Sequence, residues 1–329
     1  MKNIGKKVIQ LGYNKFSNYL KNRYGTKVYK LPLNLPVTCP NRDGNISTNG
    51  CVFCGDEGAG FENLSCEMSV SEQLKKNAKY IGKNYGSQKF IAYFQNYSNT
   101  YLPYDVFVKN ISEACAEDIV AIYISTRPDC ISDKYMEYLA RIKREKDIDI
   151  VLELGLQTVN YHTLKRLNRG HTLAEFIDAV LRIKKYKLEV CAHYITDIPM
   201  DDMEDVVEGA KILSALGVSQ VKCHSLYILK DTELEKQYLS GEIEPISMDE
   251  FVDRTIVFLE HLNPDIVVQR LIGRAPADRT VFCNWSTSWW KIQDAIEAKM
   301  TERESFQGKY FNYLNGSTVM PRFENQSLC

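Results

Sequence analysis

Three cysteines within sixteen residues form the densest group of potential ligands in this sequence. They are Cys39, Cys51 and Cys54, and their spacing is C-x11-C-x2-C. Glycines such as Gly44 and Gly50 interrupt the segment, which predicts a loop rather than a helix or a strand. A loop can bring three thiolates to one point, as a bound metal requires. The spacing therefore predicts a metal centre.

The cysteine spacing alone admits three kinds of site. Three thiolates can hold a 4Fe–4S cluster with one iron left open, a variation on the usual four-thiolate pattern. A structural zinc ion would need a fourth ligand, and Cys66 is a candidate for it. Unligated thiols are the third interpretation, which the crowding of cysteines in one glycine-rich loop disfavours. Iron–sulfur is favoured at this point, and zinc stays open.

The elements that must position this loop are predicted as alternating strands and helices. Six apolar segments are predicted strands, at 28–37, 89–95, 119–125, 150–157, 188–195 and 218–227. Amphipathic segments between them predict helices at 69–83, 104–116, 133–146 and 203–216, with another ending near residue 185. This alternation is typical of an α/β fold built on a parallel sheet.

Polar side chains gather at the ends of four of these strands. Strand residues alternate between faces, so residues of the same parity share a face. The shared sets are Ser125 with Arg127, Glu153 with Gly155 and Gln157, His193 with Asp197, and Lys222 with His224. For any one strand, loop solvation explains such residues equally well. Four strands together favour a site of the kind that (β/α) barrels build at their carboxyl ends.

We expect three segments along the chain. Residues 1–27 form a basic N-terminal arm, residues 28–229 form the core, and residues 230–329 form a C-terminal extension packed on that core. The extension contains a predicted helix at 248–261, a short strand at 266–270 and all three tryptophans. We find no secretory signal and no apolar run that could span a bilayer, so we expect a cytoplasmic protein with no membrane partner.

The cysteine loop and the predicted core together resemble the radical S-adenosylmethionine (radical SAM) superfamily, which prefers an aromatic residue such as Phe53 before the last cysteine. The sequence is similar in detail to its YhcC/YtqA-like (MnmL-type) subgroup, which is related to the radical SAM catalytic subunit of Elongator. The motifs that carry the resemblance are CPNRDG…GCVFC at 39–54, AYFQNYSNTY at 92–101, STRPDC at 125–130, ELGLQT at 153–158, NRGHT at 168–172 and SFQGKYF at 305–311. They extend over nearly the whole chain. The resemblance implies a partial (β/α)6 TIM-like barrel with an α+β C-terminal extension.

The resemblance also implies two cofactors, a 4Fe–4S cluster and S-adenosyl-L-methionine. In such enzymes the reduced cluster cleaves S-adenosylmethionine to methionine and a 5′-deoxyadenosyl radical, which abstracts a hydrogen atom from the substrate. The protein supplies orientation and excludes water and oxygen. The implied cluster ligands are Cys39, Cys51 and Cys54.

The implied contacts to S-adenosylmethionine come from four motifs. By position, Gln95 and Asn96 match the segment that contacts the methionine amino group, and Ser125 and Arg127 match the region that holds the ribose or carboxylate. Gln157 matches a ribose-binding glutamine, and Arg169 matches an arginine that pairs with the methionine carboxylate. A cation at a helix end is the alternative for Arg169. We expect no metal ligation by His171, His193 and His224, which lack ligand spacing.

One segment departs from the pattern of the family. Relatives usually have Gly-Leu-Pro-Gly-Glu after the fifth strand, and this chain has Asp197-Ile-Pro199-Met-Asp201. Asp197 in place of glycine removes freedom to adopt positive φ and is expected to bring a carboxylate near the adenine pocket. We expect S-adenosylmethionine cleavage to be retained.

The charge distribution bears on the substrate. The net charge of −1 combines residues 1–42, which carry nine Lys or Arg and no Asp or Glu, with a remainder of net charge −10. Aromatic residues alternate with these cations, among them Phe16, Tyr19 and Tyr24, and basic segments of this kind bind RNA. A second face is predicted from Arg270, Arg274, Arg279, Lys291, Trp285, Trp289 and Trp290. The alternative for the arm is a solvated basic tail.

The subgroup's implied substrate is the wobble uridine of tRNA. The implied reaction converts the carboxymethylaminomethyl side chain of this uridine to an aminomethyl side chain. The expected partners are tRNA and a reductant such as flavodoxin or ferredoxin. Two alternatives remain, a radical SAM enzyme acting on a small molecule and a non-catalytic RNA-binding protein with a zinc loop. Iron and zinc content separate the zinc alternative from the other two.

Overall fold

The computed structural model describes residues 12–55 and 63–318. The strands are β1 (Val28–Leu33), β2 (Lys89–Phe94), β3 (Ile119–Thr126), β4 (Asp149–Gln157), β5 (Glu189–Ile195), β6 (Gln220–His224), β7 (Tyr227–Leu229), β8 (Val267–Arg270) and β9 (Thr280–Cys283). The α-helices are α1 (Phe16–Tyr24), α2 (Val70–Tyr85), α3 (Tyr104–Ala114), α4 (Asp133–Lys146), α5 (Tyr161–Arg166), α6 (Leu173–Lys185), α7 (Met203–Leu216), α8 (Glu233–Leu239), α9 (Met248–His261) and α10 (Trp289–Glu302).

Seven parallel strands curl into a half-barrel in the order β1-β2-β3-β4-β5-β6-β8. The predicted α/β class and partial barrel are therefore confirmed. The seventh strand comes from the C-terminal extension, because β8 pairs with β6. The predicted strand at 218–227 was wrong at its end: β6 stops at His224, and the separate strand β7 pairs antiparallel with β9.

The two faces of the sheet bury different residues. The outer face packs against the helices in one core that includes Ile122 and Leu152 of the sheet and Phe176 of α6, all fully buried. Helix α6 shows why these segments fold locally: Thr172 and Glu175 form a capping box at its start, and its apolar stripe faces the sheet. The inner face carries most of the polar residues described below.

Helix α1 lies across the amino ends of the strands, opposite the cysteine loop. Leu20 is buried there, and Phe16 contacts the ring of Tyr123. Arg23 forms an ion pair with Asp149 at the start of β4, with 2.8 Å between Nη2 and Oδ1. The helix thus closes the amino end of the half-barrel.

Two observations bear on the predicted RNA-binding role of the basic arm. Residues 1–11 lie outside the described residues. In the described part, Lys15 forms an ion pair with Glu297, with 2.8 Å between Nζ and Oε1. Tyr19 and Tyr24 are half-buried against the barrel interior. The aromatic residues of α1 therefore pack against the protein instead of forming an open stacking platform.

The C-terminal extension contacts both the core and the arm. Helix α9 packs on α7, and Gln307 donates hydrogen bonds to the carbonyls of Asn263 and Ile266 at 2.8 Å each. Its side-chain oxygen accepts from the backbone N–H of Asn14. Within the described part of the chain, no helix has the length and apolar character needed to cross a membrane.

Candidate active site

One cavity of about 590 Å³ opens at the carboxyl ends of the strands. Its volume lies within the range of about 300–1,000 Å³ typical of ligand pockets. Eight of the nine residues predicted for the cluster and S-adenosylmethionine line it: Cys39, Cys51, Cys54, Gln95, Ser125, Arg127, Gln157 and Arg169. Asn96 does not line it. The amide of Asn96 donates to Asn34 Oδ1 at 2.7 Å and accepts from Asn63, so it braces the loops behind the cavity.

The cysteine loop is held in place by the segment that follows α5. Asn168 donates from Nδ2 to the carbonyl of Gly50 at 2.6 Å, and Asn41 donates from Nδ2 to the carbonyl of Asn168 at 2.6 Å. Asn168 and Gly170 both have positive φ, at 50° and 68°. A Cβ at Gly170 would lie 2.6 Å from Asn41 Oδ1, so only glycine fits this close approach.

Two arginines set the electrostatics of the cysteines. Arg169 donates from Nη1 to Cys51 Sγ at 3.1 Å, and Arg127 Nη1 lies 3.9 Å from Cys39 Sγ. A hydrogen bond from Cys54 and the charges of Arg169 and Arg127 outweigh burial and hold the pKa of Cys51 well below its ordinary value. Thiolates are the form that binds metal.

The three cysteines fit an iron–sulfur cluster better than zinc. All three line one cavity, beside two cations that would offset the thiolate charges. A single tetrahedral zinc would bring sulfurs to within about 4 Å of one another. Within the described residues, the group of His, Cys, Asp and Glu whose ligand atoms all lie within 4.8 Å is instead Glu153, Cys191 and His193. Cys66, the candidate fourth zinc ligand, does not line the cavity.

The predicted arginines are both buried and directed inward. Arg169 is 6% exposed and also donates from Nη2 to the carbonyl of Gly155 at 2.8 Å, so it is not a solvent-facing cation at a helix end. Arg127 forms a two-pronged ion pair with Asp129, at 2.8 and 2.7 Å. That ion pair fixes the orientation of the Arg127 guanidinium against the cysteine loop.

The carboxylate of Asp197 does not line the cavity, although its position in the sequence suggested a place near the adenine pocket. Its carboxylate accepts from the backbone N–H of Leu226 at 2.8 and 3.0 Å, and it is 2% exposed. It is neither in the cavity lining nor at positive φ. The expectation of a carboxylate facing this cavity was therefore wrong. Asp197 links the end of β5 to the turn between β6 and β7, and burial raises its pKa to about 7.

A second, polar region forms the inner wall of the same cavity. Glu153 is fully buried and accepts from Lys30 at 2.6 Å, His193 at 2.8 Å, Tyr93 at 3.0 Å and Lys222 at 3.1 Å. Burial would raise the pKa of Glu153, but the charges of Lys222 and Lys30 outweigh it and hold that pKa well below its ordinary value. Two ammonium groups at the carboxylate argue against a metal ion there. The expectation of no histidine-ligated metal at this place stays a prediction.

The histidines of this wall are neutral. Burial, followed by the charge of Lys222, lowers the pKa of His193 to about 4. Burial and the charge of Arg270 hold the pKa of His224 well below its ordinary value. A neutral His224 ring can accept from the Arg270 guanidinium, whose Nη2 lies 2.5 Å from Nδ1. Burial also lowers the pKa of Lys222, and Glu153 opposes that shift.

Sequence reasoning missed several residues of the site. Arg270 was predicted on an outer RNA-binding face, yet it lines the cavity because β8 joins the sheet beside β6. Tyr93 lines the cavity although its segment reads as a plain apolar strand. Trp285, placed on the same outer face, instead packs on Phe251 and donates to the carbonyl of Ile246 at 2.7 Å.

Comparisons with known proteins identify the family. The Radical SAM superfamily model matches residues 42–229, and the Radical_SAM C-terminal domain model matches residues 218–302. YtqA of Bacillus subtilis is 33% identical over 309 residues, which cover 94% of this chain and 95% of YtqA. A tRNA uridine(34) acetyltransferase of Methanocaldococcus jannaschii is 26% identical over 152 residues, which cover 44% of this chain and 26% of that protein.

A solved structure agrees at the level of the fold. The archaeal Elp3 of Methanocaldococcus infernus, lacking its first residues, matches with a TM-score of 0.65 at 17% identity. The match covers 85% of this chain and 64% of the Elp3 chain, so this chain spans less than two thirds of that structure. With its three-cysteine cavity at the carboxyl ends of a parallel half-barrel, the chain belongs to the Radical SAM superfamily, whose cofactors are a 4Fe–4S cluster and S-adenosylmethionine.

Proposed function

We propose that this radical SAM enzyme acts on the wobble uridine of tRNA and converts a 5-carboxymethylaminomethyl side chain to 5-aminomethyl. The observation that carries the proposal is the single cavity that joins the cysteine loop to a cationic inner wall. The proposed substrate would enter that cavity with its carboxylate-bearing side chain between the two regions. The name of the M. jannaschii relative, a tRNA uridine(34) acetyltransferase, supports the same nucleoside.

The rim of the cavity supports a nucleic-acid substrate. Arg274 lines the mouth and stacks on the ring of Trp289, with Cζ 3.6 Å from the ring centroid. Trp290, the next residue of α10, is 50% exposed, and Lys291 Nζ lies 5.5 Å from the centroid of its ring. Arginine and tryptophan side chains at a pocket mouth suit an unpaired nucleotide, because bases stack on both.

The residues of this chain have separate tasks in the proposed reaction. Cys39, Cys51 and Cys54 would hold the cluster, which with S-adenosylmethionine supplies a radical that removes a hydrogen atom from the substrate. Arg169 favours the thiolate of Cys51 by donating to its sulfur, and Arg127 lies beside the sulfur of Cys39. The predicted contacts Gln95, Ser125 and Gln157 would orient S-adenosylmethionine within the same cavity, with Asn96 bracing the loops behind them.

The proposed conversion balances as an oxidation. The carbon between the amine and the carboxylate loses two electrons and becomes an imine, and water then cleaves the carbon–nitrogen bond. The products are the aminomethyl nucleoside and glyoxylate. The two electrons reduce S-adenosylmethionine to methionine and 5′-deoxyadenosine, so no other oxidant is needed.

The test uses protein with a reconstituted cluster, S-adenosylmethionine, a reductant and tRNA that carries 5-carboxymethylaminomethyluridine. Mass analysis of the nucleosides is expected to show 5-aminomethyluridine with one glyoxylate for each product. The same tRNA incubated without reductant is the control. Production of 5′-deoxyadenosine with unchanged nucleosides would contradict the tRNA assignment and favour a small-molecule substrate.

A further inference from the structure

Four side-by-side strands present one row of residues to the inner wall of the cavity. Gly155 on β4 pairs with His193 on β5, His193 with Lys222 on β6, and Lys222 with Arg270 on β8. All four line the cavity. We call Lys222, Arg270 and His224 the cationic wall. The row brings together residues that are more than a hundred positions apart in sequence.

Within the described residues, the cationic wall carries more positive charge than the neighbouring carboxylate can neutralise. Glu153 is that carboxylate, and Lys30, which does not line the cavity, already pairs with it. Lys222 and Arg270 then contribute two charges beside two neutral histidines. Lys222 shares the Glu153 carboxylate with Lys30, and Arg270 is half-buried beside them. The three cations exceed the single carboxylate, and uncompensated charge away from water is costly, so a wall of this kind is suited to an anionic ligand.

Hydrogen-bond donors of the cationic wall are also unused. Arg270 Nε is buried and has no hydrogen-bond partner among the described residues. Lys222 Nζ donates to Tyr93 at 2.7 Å and to Glu153 at 3.1 Å, which uses two of its three protons. A guanidinium edge beside an ammonium matches the two oxygens of a carboxylate.

We propose that the cationic wall binds the carboxylate of the substrate's carboxymethyl group and thereby selects the carboxymethylaminomethyl side chain over its aminomethyl product. This inference rests on the proposed function, since it assigns the specificity of that reaction to Arg270 and Lys222. The product lacks the carboxylate and leaves the wall without its ligand. Selection against the product follows from the same two residues.

The first experiment measures binding to the holoenzyme with S-adenosylmethionine and no reductant. Two anticodon stem-loops are compared, one with 5-carboxymethylaminomethyluridine and one with 5-aminomethyluridine. The wild type is expected to bind the first at least about tenfold more tightly, as charged hydrogen bonds allow. Arg270→Gln and, separately, Lys222→Met are expected to lose most of that preference, whereas Arg141→Gln on the exposed surface of α4 keeps it.

The methionine carboxylate of S-adenosylmethionine is another source of the same chemistry, and the variants distinguish the two. If the wall serves the substrate, S-adenosylmethionine affinity stays within about twofold in Arg270→Gln. A tenfold or greater loss of that affinity would overturn the assignment. So would a carboxylate preference that persists in both the Arg270 and Lys222 variants.

A second experiment keeps this inference separate from the tRNA assignment. N-methylglycine and N-methylglycinamide are added to the holoenzyme, and melting temperatures are compared. The carboxylate is expected to raise the melting temperature of the wild type but not of Arg270→Gln, and the amide to raise neither. If N-methylglycine does not raise the melting temperature of the wild type, the proposed carboxylate binding by the cationic wall is wrong, even if tRNA is processed. A response without tRNA processing overturns the proposed function alone.

Discussion

The cysteine end and the cationic end of one cavity are built in opposite ways. The three cysteines lie within sixteen residues and are held by a short segment around Asn168. The cationic wall draws on two strands, β6 and β8, and β8 comes from the C-terminal extension. The cofactor end is thus a local motif, whereas the substrate end exists only once the sheet has formed. A family can keep the first and vary the second.

The cysteine end should give the largest effect. Cys51→Ala removes a ligand whose thiolate is favoured by Arg169, and we expect loss of most bound iron and a more than hundredfold loss of 5′-deoxyadenosine formation. Iron analysis and absorbance near 400 nm measure the first result. Cys66→Ala serves as the matched control and should retain iron. Equal iron loss in both variants would place Cys66 among the cluster ligands and contradict the three-cysteine site.

The next prediction concerns the segment that holds the cysteine loop. Gly170→Ala combines a positive φ of 68° with a Cβ 2.6 Å from Asn41, so we expect a loss of about 2–5 kcal/mol in the free energy of unfolding. Gly241→Ala has a similar φ of 76° but open space around it, and should lose only about 1–2 kcal/mol. Chemical denaturation measures both. Equal losses would show that backbone strain alone matters.

Asp197 lies outside the cavity lining, and its pKa allows a test of its structural role. Its pKa of about 7 in the folded protein is above that of an unfolded chain. The protonated folded form is therefore favoured, and stability from this group is greatest at low pH and falls as pH rises from about 4 through 7. As the pH rises from about 4 to 7, we expect the free energy of unfolding of Asp197→Asn to increase by about 1–3 kcal/mol relative to that of the wild type. A difference that does not change with pH would contradict the raised pKa.

The rim should give the smallest effect. Trp290→Ala is expected to raise the Kd for tRNA about fivefold, because one stacking surface is lost. Tyr80→Ala removes an exposed aromatic ring from α2 and is the control. Filter binding with unmodified tRNA measures both variants. Equal Kd values for the Trp290→Ala and Tyr80→Ala variants would show that the rim is not part of the tRNA-binding surface.

The same contrast explains what the sequence could and could not predict. Helices α4 and α7 begin and end at the predicted residues, because their apolar periodicity and flanking signals are local. The inward position of Arg270 depends on β8 pairing with β6, a contact no local pattern encodes. Helix α1 was not predicted because its basic and aromatic residues were interpreted as an RNA-binding arm, whereas Arg23 and Lys15 pair with distant carboxylates. The position of the Asp197 carboxylate was wrongly predicted for a similar reason, because its hydrogen-bond partner Leu226 follows β6 in the sequence, 29 residues away.

Isotope transfer tests the central claim most directly. The tRNA would carry deuterium at the carbon of the carboxymethyl group that joins the amine and the carboxylate. Because the proposed substrate would bring that group between the cysteines and the cationic wall, we expect deuterium in the 5′-deoxyadenosine formed along with 5-aminomethyluridine. Formation of both products with unlabelled 5′-deoxyadenosine would contradict the account.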